Sequence, residues 1–129
     1  MTLDSSVLIA ILFAEPGYLD LVDQILQIDH VRVGAPTLAE TSLVFAGRRG
    51  KRTSKGEVEA LVRELGVSVA PFGEAEWHLA VLAFQTFGRG RHAAALNFGD
   101  CLAYGSAAAA GDSLLFVGDD FSKTDIRRA

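Results

Sequence analysis

The chain has 129 residues, one cysteine and a formal net charge of −4, so it suits a single domain with one core and does not coat nucleic acid through bulk charge. The lone Cys101 excludes an internal disulfide and any cysteine-rich zinc site. Half the residues are apolar, yet no run approaches the ~18 residues of a membrane span. The start, Met1-Thr2-Leu3-Asp4, lacks a signal-like basic region, and the expected compartment is therefore the cytoplasm.

Met1 to Leu3 can supply only a short strand, and Ser5 to Phe13 is an apolar segment ended by Glu15-Pro16-Gly17. Leu19, Val22, Ile25 and Leu26 recur at helical spacing and predict a helix over Tyr18 to Ile28. Val31 to Val33 is β-branched and short. Thr37 to Arg48 reads as a helix, followed by a basic turn from Arg49 to Arg52. Ser54 to Leu65 is an amphipathic helix closed by Gly66, and Val67 to Val69 is another short strand. Glu74 to Phe87 is helical, Gly88 to Arg91 is a loop, and Phe98 to Ala110 is an alanine-rich helix closed by Gly111. Leu114 to Val117 is the last strand. Short strands alternating with helices predict one α/β domain over 1–129 with a mostly parallel central sheet.

Ligand sites in such sheets lie beyond the carboxyl ends of the strands, which places the acids. Asp4 follows the first strand, Glu40 falls in the first turn of the helix after the second, and Asp119 and Asp120 follow the last. The helix starting at Phe98 ends one short turn before the last strand, so its own start, with Asp100, belongs at the carboxyl edge. Each acid alone is also explained as a helix cap: Asp4 before Ser5-Ser6, Thr37 to Glu40 as a capping box, and Asn97 to Asp100 as another. Capping does not require the four to meet. Clustered carboxylates repel one another, and a hard cation such as Mg²⁺ removes that penalty and supports phosphodiester hydrolysis.

Asp4-Ser5-Ser6-Val7-Leu8 resembles the opening of the PIN-domain nucleases. Ala35 to Glu40 resembles their second acidic motif, and Leu96-Asn97-Phe98-Gly99-Asp100-Cys101 their third. Leu114 to Phe121, with Thr124-Asp125-Ile126, resembles a subgroup of VapC-type toxins. The resemblance implies a three-layer α/β/α fold and a toxin of a type II toxin–antitoxin pair. It implies a Mg²⁺-dependent endoribonuclease (Mn²⁺ substituting), with Asp4, Glu40, Asp100 and Asp119 as catalytic acids and Asp4 and Asp100 as metal ligands. Many relatives carry the fourth acid where this chain has Gly118; Asp119 or Asp120 must substitute, and Asp119 is preferred as nearer the strand end. Ser6 either orients a water or phosphate or is a helix-start hydroxyl. The implied partners are RNA, a VapB-type antitoxin and a second copy of the chain, the homodimer using the apolar surplus. An antitoxin helix in an apolar groove is expected against Tyr18 to Ile28 and Ser54 to Leu65.

Two basic clusters stand out. Arg48, Arg49, Lys51, Arg52 and Lys55 read better as a solvated turn. Arg89, Arg91 and His92 precede the helix bearing Asp100, and Arg89 and Arg91 are expected to meet the RNA backbone. His92 as a general acid is weighed against plain exposure. Trp77 is expected in the core or an interface, and Cys101 is expected to be buried and inert. A haloacid-dehalogenase-like phosphotransferase fits poorly, because Ser6 occupies the position of its second Asp. A receiver-like module fits poorly too, because Val67 to Pro71 offers no phosphoacceptor. A catalytically silent interaction domain remains the alternative.

Overall fold

The computed structural model describes residues 1–50 and 55–129, with the side chain of Lys55 left aside. Lys51 and Arg52 of the first basic cluster, and Ser54 at the start of the third predicted helix, lie outside the described residues. In chain order the elements are β1 (Thr2–Leu3), α1 (Ser5–Leu12), α2 (Tyr18–Leu26), β2 (Arg32–Gly34), α3 (Ala35–Arg48), α4 (Lys55–Glu64), β3 (Ser68–Ala70), α5 (Glu74–Phe87), α6 (Phe98–Ala110) and β4 (Leu114–Leu115). The four strands form one sheet in the order β3-β2-β1-β4, and every pairing is parallel.

Adjacent side chains on a strand point to opposite faces, and here each face has its own core. Leu114 and Phe116 pack against Ala83 of α5 and Ala103, Tyr104 and Ala107 of α6. Leu3, Val33 and Leu115 face the other way, against Val7 and Leu8 of α1, Ile25 of α2 and Val62 of α4. Helices therefore cover both faces, as parallel strands require, and the expected three layers are present. α5 and α6 approach so closely that a Cβ on Gly105 would lie 2.5 Å from the Glu76 carbonyl oxygen.

The two ends of the sheet differ in kind. At the amino edge, Asp112 accepts from the Thr2 hydroxyl at 2.8 Å and pairs with Arg32 at 3.1 Å and the Met1 ammonium at 3.4 Å. That cluster pins the α6–β4 turn beside the starts of β1 and β2, so the start of α6 is carried to the carboxyl edge. The free side of β4 meets the tail: Leu114 N–H donates to the Arg127 carbonyl and Ala129 N–H to the Leu114 carbonyl. Such cover protects an otherwise open sheet edge.

Most boundaries lie within one or two residues of expectation, and two of the differences bear on the site. α3 begins at Ala35, with Pro36 in its first turn and Gly34 as a cap that offers no side chain. Pro at a helix start is favoured because its missing N–H is not needed there. Thr37 is consequently inside the helix and caps nothing, and Glu40 sits in the second turn. β4 ends at Leu115, two residues early. Beyond it Gly118 takes a left-handed φ of 95° and turns the chain away from the strand direction.

Candidate active site

Asp4 leaves β1 in an extended conformation and caps α1. Its Oδ2 accepts from the Ser6 backbone N–H at 3.0 Å and from the Ser6 hydroxyl at 2.6 Å. The Ser6 oxygen accepts in turn from the Val117 N–H at 3.0 Å. Ser6 thus links the ends of β1 and β4 and holds one oxygen of Asp4. The other oxygen, Oδ1, is buried with no hydrogen-bond partner among the described residues, on a residue only 5% exposed.

Asp100 is used in the same divided way. Its Oδ2 accepts from the Asn97 N–H at 2.7 Å, while its own N–H donates to the Asn97 side-chain oxygen at 2.9 Å. This is a reciprocal capping box on α6, so the capping and site roles coexist on one carboxylate. Glu40 reaches in from α3 and lies against Gly99; its Oε2 is buried without a partner. Burial is the first cause that raises the pKa of Asp4, Glu40 and Asp100 above the ordinary carboxylate range. Mutual repulsion adds to it. Asp4 acts on Glu40 and Asp100, Asp100 on Glu40, and Asp120 on both Asp4 and Asp100. The three motifs that carry Asp4, Glu40 and Asp100 therefore converge.

The fourth position comes out differently. Asp120, rather than Asp119, exerts its charge on Asp4 and Asp100. Asp119 caps the following turn, its carbonyl accepting from the Ser122 N–H and hydroxyl. Of the second basic cluster, Arg89 lies near enough to Asp100 to favour its ionised form. Arg91 instead stacks over the Phe84 ring at 5.4 Å. His92 is exposed, with Nδ1 accepting from the Ala94 N–H at 3.1 Å and its ring edge-on to Phe87. Arg48 and Arg49 pair with Glu15 and Glu57 and cover Phe13 and Phe45, which is the solvated-turn role. Cys101 is buried, as expected, and burial pushes its thiol up to about 11. Trp77 is 55% exposed and is not core.

A cleft of about 610 Å³ beside the acids is lined by Glu40, Gly99, Leu43, Val44, Phe98 and Leu102. A second, of about 580 Å³, lies across Phe98 and Leu102 and includes Trp77, Val81, Phe84 and Arg91. Among the described residues, no three His, Cys, Asp or Glu side chains are gathered tightly enough to enclose a metal ion by themselves. A hard divalent cation takes one or two carboxylates and otherwise keeps its waters. The unpartnered buried oxygens of Asp4 and Glu40 are hard anionic donors of the kind such an ion needs.

Asp4 at the end of β1, Glu40 on α3 and Asp100 on α6 bring mutually repelling carboxylates to one edge of a parallel sheet, an arrangement that suits a metal-dependent hydrolase. The PIN domain family model matches residues 1–127, and the chain belongs to that family. It is similar to Ribonuclease VapC36 of Mycobacterium tuberculosis, 39% identical over 98% of this chain and 91% of the relative. Ribonuclease VapC30 of the same species is 35% identical over 98% and 95%, and Ribonuclease VapC of Mycolicibacterium smegmatis 34% over 98% and 97%. Among solved structures, VapBC2 from Rickettsia felis bound to a promoter DNA fragment shares the fold, with a TM-score of 0.66 at 14% identity over 98% of this chain and 94% of the other. Within the PIN family the chain is a VapC-type toxin of the ribonuclease class.

Proposed function

We propose that the chain hydrolyses RNA phosphodiester bonds with Mg²⁺ at a site made of Asp4, Glu40, Asp100 and Asp120. The observation that carries the site is the buried, unpartnered Oδ1 of Asp4, facing a set of carboxylates that repel it. Asp4 and Asp100 are the metal ligands, each held by a hydrogen-bonded Oδ2. When bound, Mg²⁺ supplies the charge that lets the carboxylates stay ionised, acidifies water and stabilises the phosphoryl transition state. Glu40, whose Oε2 has no hydrogen-bond partner among the described residues, is placed to accept a proton from the attacking water. Ser6 acts as a strut for Asp4 rather than as a substrate contact. Arg89 meets the RNA backbone at the rim. Arg91, drawn onto Phe84, is assigned no phosphate.

The test is cleavage of total cellular RNA by the purified, partner-free chain with Mg²⁺, Mn²⁺ or EDTA. Discrete fragments that vanish with EDTA and in Asp100→Ala are expected. A folded, partner-free protein that cuts no RNA pool would favour the silent interaction domain.

The reading extends to partners and compartment. The chain works in the cytoplasm; among the described residues no helix is long and apolar enough to cross a membrane. A VapB-type antitoxin helix docks on the α2 and α4 side, where Leu19 and Leu26 of α2 are 61% and 63% exposed. A complex with that side open to solvent would overturn the placement. The homodimer uses the α3–α5–α6 face, where Phe98, Leu43 and Trp77 are 78%, 75% and 55% exposed. Together these three offer on the order of 400 Å² of apolar surface, as large as the patches that mark interaction sites. Light scattering on the toxin alone is expected to give twice the chain mass, falling to one in Leu43→Glu/Trp77→Glu. A double variant that stays dimeric moves the interface elsewhere.

A further inference from the structure

Gly99 is not explained by its backbone. It lies in the first turn of α6, and its φ is not among the positive ones, so any residue adopts the same conformation. Alanine is in fact favoured over glycine in a helix by about 1 kcal/mol. What sets Gly99 apart is what a side chain there would meet. The three nearest atoms to an added Cβ all belong to the Glu40 carboxyl group: Oε1, then Cδ and Oε2 at 2.7 Å. Ordinary contact begins near 3.4 Å. Elsewhere in the fold such clearances serve packing, as at Gly105 against the α5 backbone or Gly34 against the Ser106 side chain. At Gly99 the obstacle is one end of a long side chain that has come from another helix.

We infer that Gly99 is a positioning residue for the cleavage reaction: it leaves open the space in which the Glu40 arm lies across the first turn of α6 beside Asp4 and Asp100. A methyl group there does not collide with fixed backbone. It pushes the flexible Glu40 side chain out of the site, towards the open cleft lined by Leu43 and Phe98. The fold is spared and the reaction is not. The inference rests on the assignment of Glu40 to the catalytic set.

The experiment is a double-mutant cycle of Gly99→Ala and Glu40→Ala, reading kcat and KM for RNA with Mg²⁺, and the melting temperature of the metal-free proteins. Gly99→Ala is expected to lose at least about 50-fold in kcat with KM within about twofold, and to melt no lower than wild type. In the Glu40→Ala background the same substitution is expected to change kcat by less than about twofold, because nothing is left to displace. Losses that multiply in the double variant overturn the inference, since Gly99 then acts independently of Glu40. So does a Gly99→Ala protein of wild-type kcat. If Gly99→Ala melts well below wild type, the clash is borne by the fold; that penalty must vanish in the Glu40→Ala background, and its persistence there overturns the inference as well. Failure of the Glu40 assignment is distinguishable, because Glu40→Ala alone would then keep its activity.

Discussion

Asp4→Asn is expected to cut RNA cleavage by on the order of 10³-fold and, in the same protein without metal, to raise the melting temperature. The two effects have opposite sign because they come from different properties of one carboxylate. Asparagine keeps the cap and the contact with Ser6, since its amide oxygen accepts what Oδ2 accepts now. It removes the negative charge that a cation needs. It also removes a charge that is costly when no cation is present, because Asp4 is 5% exposed and stands among other acids.

The pH dependence follows from the direction of the shifts. Folding raises the pKa of Asp4 and Asp100 above 3.8 and of Glu40 above 4.5. Between those ordinary values and the raised ones, the native state binds more protons than the unfolded chain, so stability falls as pH rises. The metal-free wild type is therefore expected to lose stability from pH ~4 upward through that window, in contrast to a chain whose acids are salt-bridged. Asp4→Asn flattens the slope and melts higher than wild type at pH 7.5. Calorimetry at pH 5 and 7.5 in EDTA reads both. Added Mg²⁺ should stabilise the wild type more than the variant, through binding to the native state alone. A variant that melts below wild type in EDTA at pH 7.5 would falsify the account of Asp4 as a strained, uncompensated charge.

The parts of this protein legible in its sequence are those fixed by local signals. α5 and α6 span the expected residues because both are long, periodic and closed by a glycine. Parallel strands followed from the alternation of short strands with helices, and the meeting of Asp4 with Asp100 from the strand-end rule and the short turn after α6. Capping and chemistry looked like rival explanations for these acids, but a carboxylate has two oxygens. Asp4 and Asp100 each spend one on a helix start, and that use fixes the direction of the other. For Glu40, expected as a catalytic acid, the pattern Thr-x-x-Glu offered a capping box with Thr37 as the rival explanation. Pro36 won instead by starting the helix earlier, and the capping explanation of Glu40 fell with it. Trp77 shows the limit of periodicity, which marks it as apolar without saying whether this chain covers it. Gly99 carries no sequence signal at all, since the group it makes room for lies 59 positions away, at Glu40.

Asp119 and Asp120 compete for the fourth acidic position, and Asp120→Asn against Asp119→Asn is the pair that decides between them. Nearness to the strand end favoured Asp119. That preference assumed a strand running to Val117 and a chain continuing in its direction. β4 stops at Leu115, Val117 donates sideways to Ser6, and Gly118 at φ 95° reverses the path. The chain then enters a turn in which the Asp119 carbonyl is occupied by Ser122, while Asp120 is the residue whose charge Asp4 and Asp100 feel. Both are exposed, so either change to asparagine leaves the core untouched and the stability within about 0.5 kcal/mol of wild type. Asp120→Asn is expected to lower kcat by roughly 10- to 100-fold, the range for outer groups around a metal. It should also weaken Mn²⁺ binding measured by titration of the protein alone. Asp119→Asn should stay within about threefold on both. The reverse ranking would mean that substrate or metal draws the turn round and brings Asp119 inward, restoring the strand-end rule. Equal losses would mean that the two share one role, with the pair rather than either residue supplying the charge at that corner of the site.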